Sequence, residues 1–189
     1  MHAHKIDPEG FLDIRSLGKL NYDPLPDWGL NGYKTDKILA VCSIETPNEF
    51  ELILREKKQS YQKDWKQQYD IEMLNAIISE GHSFGAFYQS ELIGWVICRF
   101  RADNRSLVIE NMLVSEPFRG QNIGRMLIKA ANREARSLGC RMVELETQNT
   151  NYPAVEFYRK CGFSITGWNS KRYEDATETA VFMSYDLID

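Results

Sequence analysis

The residues best suited to chemistry lie between positions 107 and 163. An apolar run, Leu-Val-Ile-Glu-Asn-Met-Leu-Val at 107–114, leads through Ser-Glu-Pro-Phe into Arg119-Gly120-Gln121-Asn122-Ile123-Gly124 and then into a long amphipathic stretch. A glycine-containing turn that enters a helix makes an anion site. The first N–H groups have no partner inside the helix, the dipole is positive there, and small residues let a phosphate approach. Arg119 adds a fixed positive charge with several donors. The same residues also suit a tight capping turn that holds no ligand. Glu110 is an ionisable side chain inside the apolar run. A carboxylate there serves as a proton acceptor, or else faces solvent or joins a salt bridge. At 141–147, alternation puts Met142, Glu144 and Glu146 on one face and Val143, Leu145 and Thr147 on the other. Glu146 then meets a cationic group, shares the base role with Glu110, or is solvated, and Glu144 is read as structural. Asn111 is expected opposite Glu110 as a satisfier of backbone groups. Cys161 is read as a buried thiol rather than a nucleophile. His82 has no nameable partner and His2 and His4 lie near the N-terminus, so no histidine metal site is expected.

These residues need elements to hold them. Residues 107–114 and 141–147 read as strands, and 122–138 as a helix with apolar residues at 123, 127, 130, 131, 135 and 138. That helix carries Arg125, Lys129, Arg133 and Arg136 on its outer face, and Gly139 ends it. Residues 153–161 read as a short helix with proline in its first turn. Upstream, 37–44 is a strand, 49–69 passes from strand into helix, 71–79 is a helix, and 82–88 with 92–100 is a hairpin. Strands at 163–173 and 179–187 close the chain. The first 35 residues hold Asp7-Pro8, Asn21-Tyr22-Asp23-Pro24, Pro26-Asp27 and Asn31-Gly32, and read as a loose arm with at most a helical turn. The strand–helix–strand unit requires a parallel pair within a mixed sheet. Trp28, Tyr33, Trp65, Tyr69 and Trp168 are assigned no site role.

Composition narrows the class. The chain has 189 residues, 43% hydrophobic and 12% aromatic, which suits one folded domain and not a disordered tail. No apolar run approaches the ~18 residues of a membrane helix. Residues 1–10 lack the apolar centre of a signal peptide, so the expected compartment is the cytoplasm. Cys42, Cys98, Cys140 and Cys161 are scattered without a CxxC pair, which favours buried thiols over a disulfide framework or zinc site. A net charge of -4 argues against general nucleic-acid binding and leaves room for a cationic small molecule.

Arg119, Gly120, Ile123 and Gly124 resemble the phosphate-loop signature of the GNAT superfamily of acyl-CoA-dependent N-acetyltransferases, with Asn122 where a middle glycine is usual. Asn tolerates left-handed backbone, so the loop can still form. Asn151, Ala154, Phe157-Tyr158 and Gly162-Phe163 match a second element of that superfamily. The segment Leu145-Glu146-Thr147-Gln148, with Asn151, Pro153-Ala154, Tyr158 and Lys160-Cys161-Gly162-Phe163, resembles its streptothricin acetyltransferase branch. The superfamily resemblance spans roughly 83–187 and the branch resemblance roughly 107–163; the N-terminal arm matches neither.

The resemblance implies an α/β fold, a twisted mixed sheet of about six or seven strands splayed in the middle and flanked by about four helices. It implies an arm at 1–35 and a single domain at 36–189 with a cofactor-binding core at 83–187. Acetyl-CoA, with no metal, would lay its pantetheine against Leu113, Val114 and Ser115 and near Asn151 and Ala154. Its diphosphate would sit on Arg119, Gly120, Gln121, Asn122, Ile123, Gly124 and Arg125. Tyr158 would act as general acid at the thioester sulfur, Glu110 as general base towards the amine, and Glu146 as a substrate-binding carboxylate. The acceptor would be a primary amine of a small cationic molecule such as a streptothricin-like antibiotic. A polyamine, an amino acid or a protein amine is the first alternative, and a non-catalytic acyl-CoA sensor, or no CoA binding at all, the others. No nucleic acid or membrane partner is expected, and a homodimer is allowed.

Overall fold

The turn-rich N-terminal segment contains a strand. Leu-Asp-Ile-Arg-Ser alternates apolar and polar residues, and β1 (Leu12–Ser16) pairs antiparallel with β4 (Phe84–Tyr88), from Leu12↔Tyr88 to Ser16↔Phe84. The supposed arm therefore supplies an edge strand, too short and too closely flanked by turn formers to stand out in the sequence. The computed structural model describes residues 11–21, 28, 32–65 and 70–187. The other turn pairs read in the arm, apart from Asn21 and Gly32, lie outside the described residues.

β2 (Gly32–Thr46) and β3 (Glu49–Asp64) form a long antiparallel ribbon, registered from Thr46↔Glu49 to Gly32↔Asp64 with one irregularity between Thr35 and Lys37. The charged stretch expected to become helix is thus strand as far as Asp64. Cross-strand pairing with Ile38, Leu39 and Val41 overrides the helical preference of its Glu, Lys and Gln residues. α1 (Ile71–Ile78) starts at Asp70, whose carboxylate accepts from the Met73 N–H at 3.0 Å, and buries Leu74, Ile77 and Ile78. Asn75 clamps the chain after β1, accepting from the Leu20 N–H at 2.7 Å and donating to the Leu20 carbonyl at 2.9 Å.

β5 (Glu91–Arg101) returns from β4 through Gln89 and Ser90, both with positive φ (49° and 71°), the turn geometry that matches strand twist. β6 (Ser106–Val114) pairs antiparallel with β5 and parallel with β7 (Met142–Gln148). α2 (Ile123–Ser137) joins these two strands, burying Ile123, Leu127, Ile128, Ala130, Ala131 and Ala135, and Gly139 follows it with φ 68°. α3 (Tyr152–Lys160), β8 (Ser164–Asn169) and β9 (Ala180–Asp186) complete the chain. The sheet order is β1-β4-β5-β6-β7-β9-β8, with the ribbon β2-β3 as a second sheet. Among the described residues there are three α-helices and one 3-10 turn (Glu116–Phe118), against the four helices expected, because the ribbon stands where a helix was read.

The chain divides into two compact units. The first comprises the residues before Gly32, Trp65 to Leu145, and Tyr185 onward; the second comprises Gly32–Asp64 and Glu146–Ser184. The core of the first includes Leu17, Leu20, Trp28, Leu74, Ile77, Ile78, Trp95 and Ile97. In the second, β2 is fastened by the Leu39 N–H donating to the Asn149 carbonyl (2.9 Å) and the Asn149 side chain donating to the Leu39 carbonyl (2.8 Å).

Candidate functional site

In the first unit the turn between β6 and α2 takes the conformation its residues allow. Gly120 has φ 76° and Asn122 φ 69° and ψ 2°, so both are left-handed, and Asn122 is the residue from which α2 starts. Both are exposed, and a side chain added at Gly120 would meet nothing within 4 Å. Asn122 makes no side-chain cap, so the first turn of α2 is not closed by its own N-terminal residue. Ile123, 1% exposed, pins this turn to the core, so its backbone and not its side chain faces the turn's open side. Gln121 is half-buried and donates to the Pro117 carbonyl at 3.2 Å, and Arg125 is exposed. Arg119 donates from Nε to the Val114 carbonyl at 2.9 Å, tying the turn to the end of β6. Partial burial holds its guanidinium below the usual arginine range, and nearby Glu116 opposes that shift.

β6 is irregular where the chemistry was expected. Ile97 registers with Asn111 but Cys98 with Ile109, so Glu110 is the extra residue of a β-bulge. Parallel pairing with β7 runs from Ser106↔Met142 to Ile109↔Leu145 and stops at the same point. The bulge resets the face alternation, so Asn111 is not simply opposite Glu110. Its Oδ1 accepts from the Trp95 indole N–H at 2.7 Å, so it satisfies a side chain. Glu110 is turned outward, with its side chain 36% exposed and the Arg99 guanidinium 3.7 Å away. Leu113 packs against the core cluster, Val114 is half-buried, and Ser115 is buried with its N–H donated to the Ile93 carbonyl at 2.8 Å.

The second unit holds the remaining candidates. Asn151 precedes α3, and its side chain accepts from the Ala154 N–H at 3.3 Å, so it is a helix cap. Tyr158 is half-buried, its ring 5.2 Å from Phe157 and 5.7 Å from Phe163. Glu146 accepts from the Tyr173 hydroxyl at 2.8 Å and from Arg172 Nε at 3.1 Å. Burial first, and then that bond to Glu146, push the Tyr173 phenol above its ordinary range. The alternation read for β7 holds: Val143, Leu145 and Thr147 are buried and their neighbours are not. Glu144, in the first unit, accepts from the Ser106 hydroxyl, a structural role as expected.

Sequence reasoning missed the most buried carboxylate among the described residues. Glu178 is 1% exposed and is paired with the Lys63 ammonium; it also accepts from Tyr61 and Thr150 hydroxyls, each at 3.2 Å. Thr150 in turn shares a 2.7 Å hydrogen bond with Tyr33. The partners are separated by 115–117 residues in sequence, except Thr150, so no local pattern signals the cluster. Of the aromatics given no site role, Trp28 sits on Trp95 at 4.7 Å in the first core, Trp168 stacks on Phe50 at 5.5 Å, Trp65 is 37% exposed, and Tyr69 lies outside the described residues. Cys98 and Cys140 are buried as expected, but Cys42 is exposed towards the ribbon tip and Cys161 is half-buried. Among the described residues no three His, Cys, Asp or Glu side chains are grouped to hold a metal, and no helix is long and apolar enough to cross a membrane.

Residues 38–163 match the acetyltransferase (GNAT) family. The chain is 36% identical over 97 residues to streptothricin acetyltransferase of Streptomyces lavendulae, a match covering 50% of this chain and 51% of that protein. It is 31% identical over 126 residues to streptothricin acetyltransferase of Escherichia coli, covering 65% of this chain and 68% of the other. The chain therefore spans about half the length of the first relative and about two thirds of the second. A Bacillus anthracis str. Ames protein solved in complex with acetyl coenzyme A shares the fold, with a TM-score of 0.72 at 24% identity over 95% of this chain and 99% of that one.

Proposed function

Since the chain belongs to the acetyltransferase (GNAT) family, we propose that it is an acetyl-CoA-dependent N-acetyltransferase acting on a primary amine of a small cationic molecule of the streptothricin kind. The observation that carries this reading is the left-handed, exposed turn Gly120–Asn122 at the head of α2, behind the guanidinium of Arg119. Left-handed backbone at both positions fits a diphosphate cradled by main-chain N–H groups, and the space at Gly120 is open to receive it. Two relatives are named streptothricin acetyltransferases, and a protein of the same fold binds acetyl coenzyme A.

In this reading the loop from Arg119 to Arg125 holds the diphosphate, and the bulged half of β6, ending at Leu113, Val114 and Ser115, flanks the pantetheine. The family resemblance assigns Asn151 and Ala154 to the pantetheine as well. Glu146 binds the cationic acceptor. Transfer is direct: Glu110 takes a proton from the ammonium, the freed amine attacks the thioester carbonyl, the C–S bond breaks, the Tyr158 hydroxyl protonates the departing thiolate, and the nitrogen's surplus proton restores Tyr158, leaving a neutral amide and a free thiol. The bulge that aims Glu110 outward also leaves main-chain groups able to polarise the carbonyl.

Thiol release from acetyl-CoA against streptothricin, polyamines, amino acids and a peptide amine tests the reading. Streptothricin is the expected acceptor. Tyr158→Phe should lower turnover by about 10²-fold or more while calorimetry still registers acetyl-CoA binding. A flat acetyl-CoA titration with the unaltered protein refutes the reading, and binding without turnover on any amine makes the chain an acyl-CoA sensor.

A further inference from the structure

The open edge of the β2–β3 ribbon is patterned for a second copy of itself. Leu39 registers with Glu56, yet both its backbone groups go to Asn149, so this pair is of the non-hydrogen-bonded kind. Register is unbroken from Lys37 to Thr46. By alternation, Phe50, Leu52, Leu54, Glu56 and Lys58 then direct their N–H and C=O groups away from β2, towards an edge that no other strand covers among the described residues. A long uncovered edge is a template for pairing unless charge or twist protects it.

The charges here do not protect it; they are complementary. One face of β3 reads Glu49, Glu51, Ile53, Arg55, Lys57, with the four charged residues exposed. Among the described residues none of these four forms an ion pair. Like charges two apart on one strand face repel and are a cost to a lone chain. An antiparallel copy related by a two-fold axis at Ile53 sets Glu49 against Lys57 and Glu51 against Arg55 of the second copy, and sets Leu52 against Leu54 on the other face. Centring the axis on Leu52 leaves only Glu49 against Arg55, and centring it on Leu54 leaves only Glu51 against Lys57; either sets Ile53 opposite a charge, whereas the Ile53 register keeps two charge pairs per half and sets only Phe50 opposite a charge, Glu56. The edge backbone groups of Phe50, Leu52, Leu54 and Glu56 then pair with their counterparts. We propose that the chain forms a two-fold dimer by antiparallel pairing of β3 with β3 of a second copy, centred on Ile53. This inference stands independently of the acetyltransferase reading.

Sedimentation equilibrium tests it. The unaltered protein should run at twice the chain mass, with dissociation rising as salt screens the charge pairs. Arg55→Glu/Lys57→Glu and Glu49→Lys/Glu51→Lys should each be monomeric and should re-form a dimer when mixed. A register test uses Ile53→Cys in a Cys42→Ser background, because Cys42 is exposed and registers with Ile53. Mild oxidation should link two chains through position 53, whereas Arg55→Cys in the same background should not. Circular dichroism of each variant verifies folding. A monomeric unaltered protein, a folded Arg55→Glu/Lys57→Glu variant that stays dimeric, or equal cross-linking at 53 and 55 overturns the proposal.

Discussion

Lys63→Met gives a sharp test of how the second unit is held together. The substitution leaves Glu178, 1% exposed, without its cation, and only the Tyr61 and Thr150 hydroxyls, at 3.2 Å each, remain as named donors. Breaking a buried pair from one side costs about 3–5 kcal/mol. The Lys63 side chain keeps 25% exposure and two neutral donors survive, so the lower end, about 3 kcal/mol, is expected. Glu178→Gln differs because the ammonium left behind has a path to water, and about 1–2 kcal/mol is expected. The double variant should cost less than the two singles together, by at least about 1 kcal/mol, since each single change strands the other group. Urea unfolding followed by tryptophan fluorescence reads all three, with Trp168 reporting from the same unit. A Lys63→Met cost below about 1 kcal/mol, the size of a surface ion pair, would refute the reasoning, as would strict additivity.

Gly94→Ala should press on the C-terminal end of β6, because the new Cβ would lie 3.0 Å from the Leu113 carbonyl oxygen and 3.3 Å from Val114 Cα. A cost of about 1–3 kcal/mol in urea and weaker acetyl-CoA binding by calorimetry are expected, and unchanged values in both would contradict the packing argument. Tyr33 should make stability fall at alkaline pH. Burial is the main cause that raises its phenol above the ordinary value of 10.0, so its contribution is complete below that value and is lost as pH rises beyond it, at about 1.4 kcal/mol per pH unit. Tyr33→Phe should flatten the decline between pH 10 and 11, and parallel curves for the two proteins would exclude Tyr33 as its source.

The sequence was most readable where structure is local. α2 shows as a 3.6-residue apolar period closed by Gly139, and β7 as strict alternation that matches burial at every position. The turn at Gly120 and Asn122 is legible for the same reason, since left-handed backbone selects residue types one at a time. What escaped depends on partners far along the chain. β3 is rich in Glu, Lys and Gln, which suit a helix, and only its 14 registered pairs with β2 make it a strand. The bulge at Glu110 is invisible in Leu-Val-Ile-Glu-Asn-Met-Leu-Val, because an inserted residue is defined by the strand opposite. Glu178 reads as one charge in a polar loop, yet its ammonium comes from 115 residues away.

The same distinction between a held and a loosely placed carboxylate separates the two acids of the proposed reaction. Glu146 is dressed on both oxygens, by a Tyr173 phenol that burial keeps protonated and by Arg172. Such a carboxylate is held in one orientation, which suits binding a cation. Arg172 is 59% exposed, and an exposed pair of this kind is worth at most about 1 kcal/mol, so an ammonium group can displace it. Glu110 has one loose partner, Arg99 at 3.7 Å, with both side chains more than a third exposed. Losing that pair costs little, so an arriving ammonium group can take the place of Arg99 beside the carboxylate, which is the approach a proton acceptor needs. The bulge sets Glu110 apart from its neighbours: it is the one residue between Ile109 and Asn111 that has no registered partner on β5.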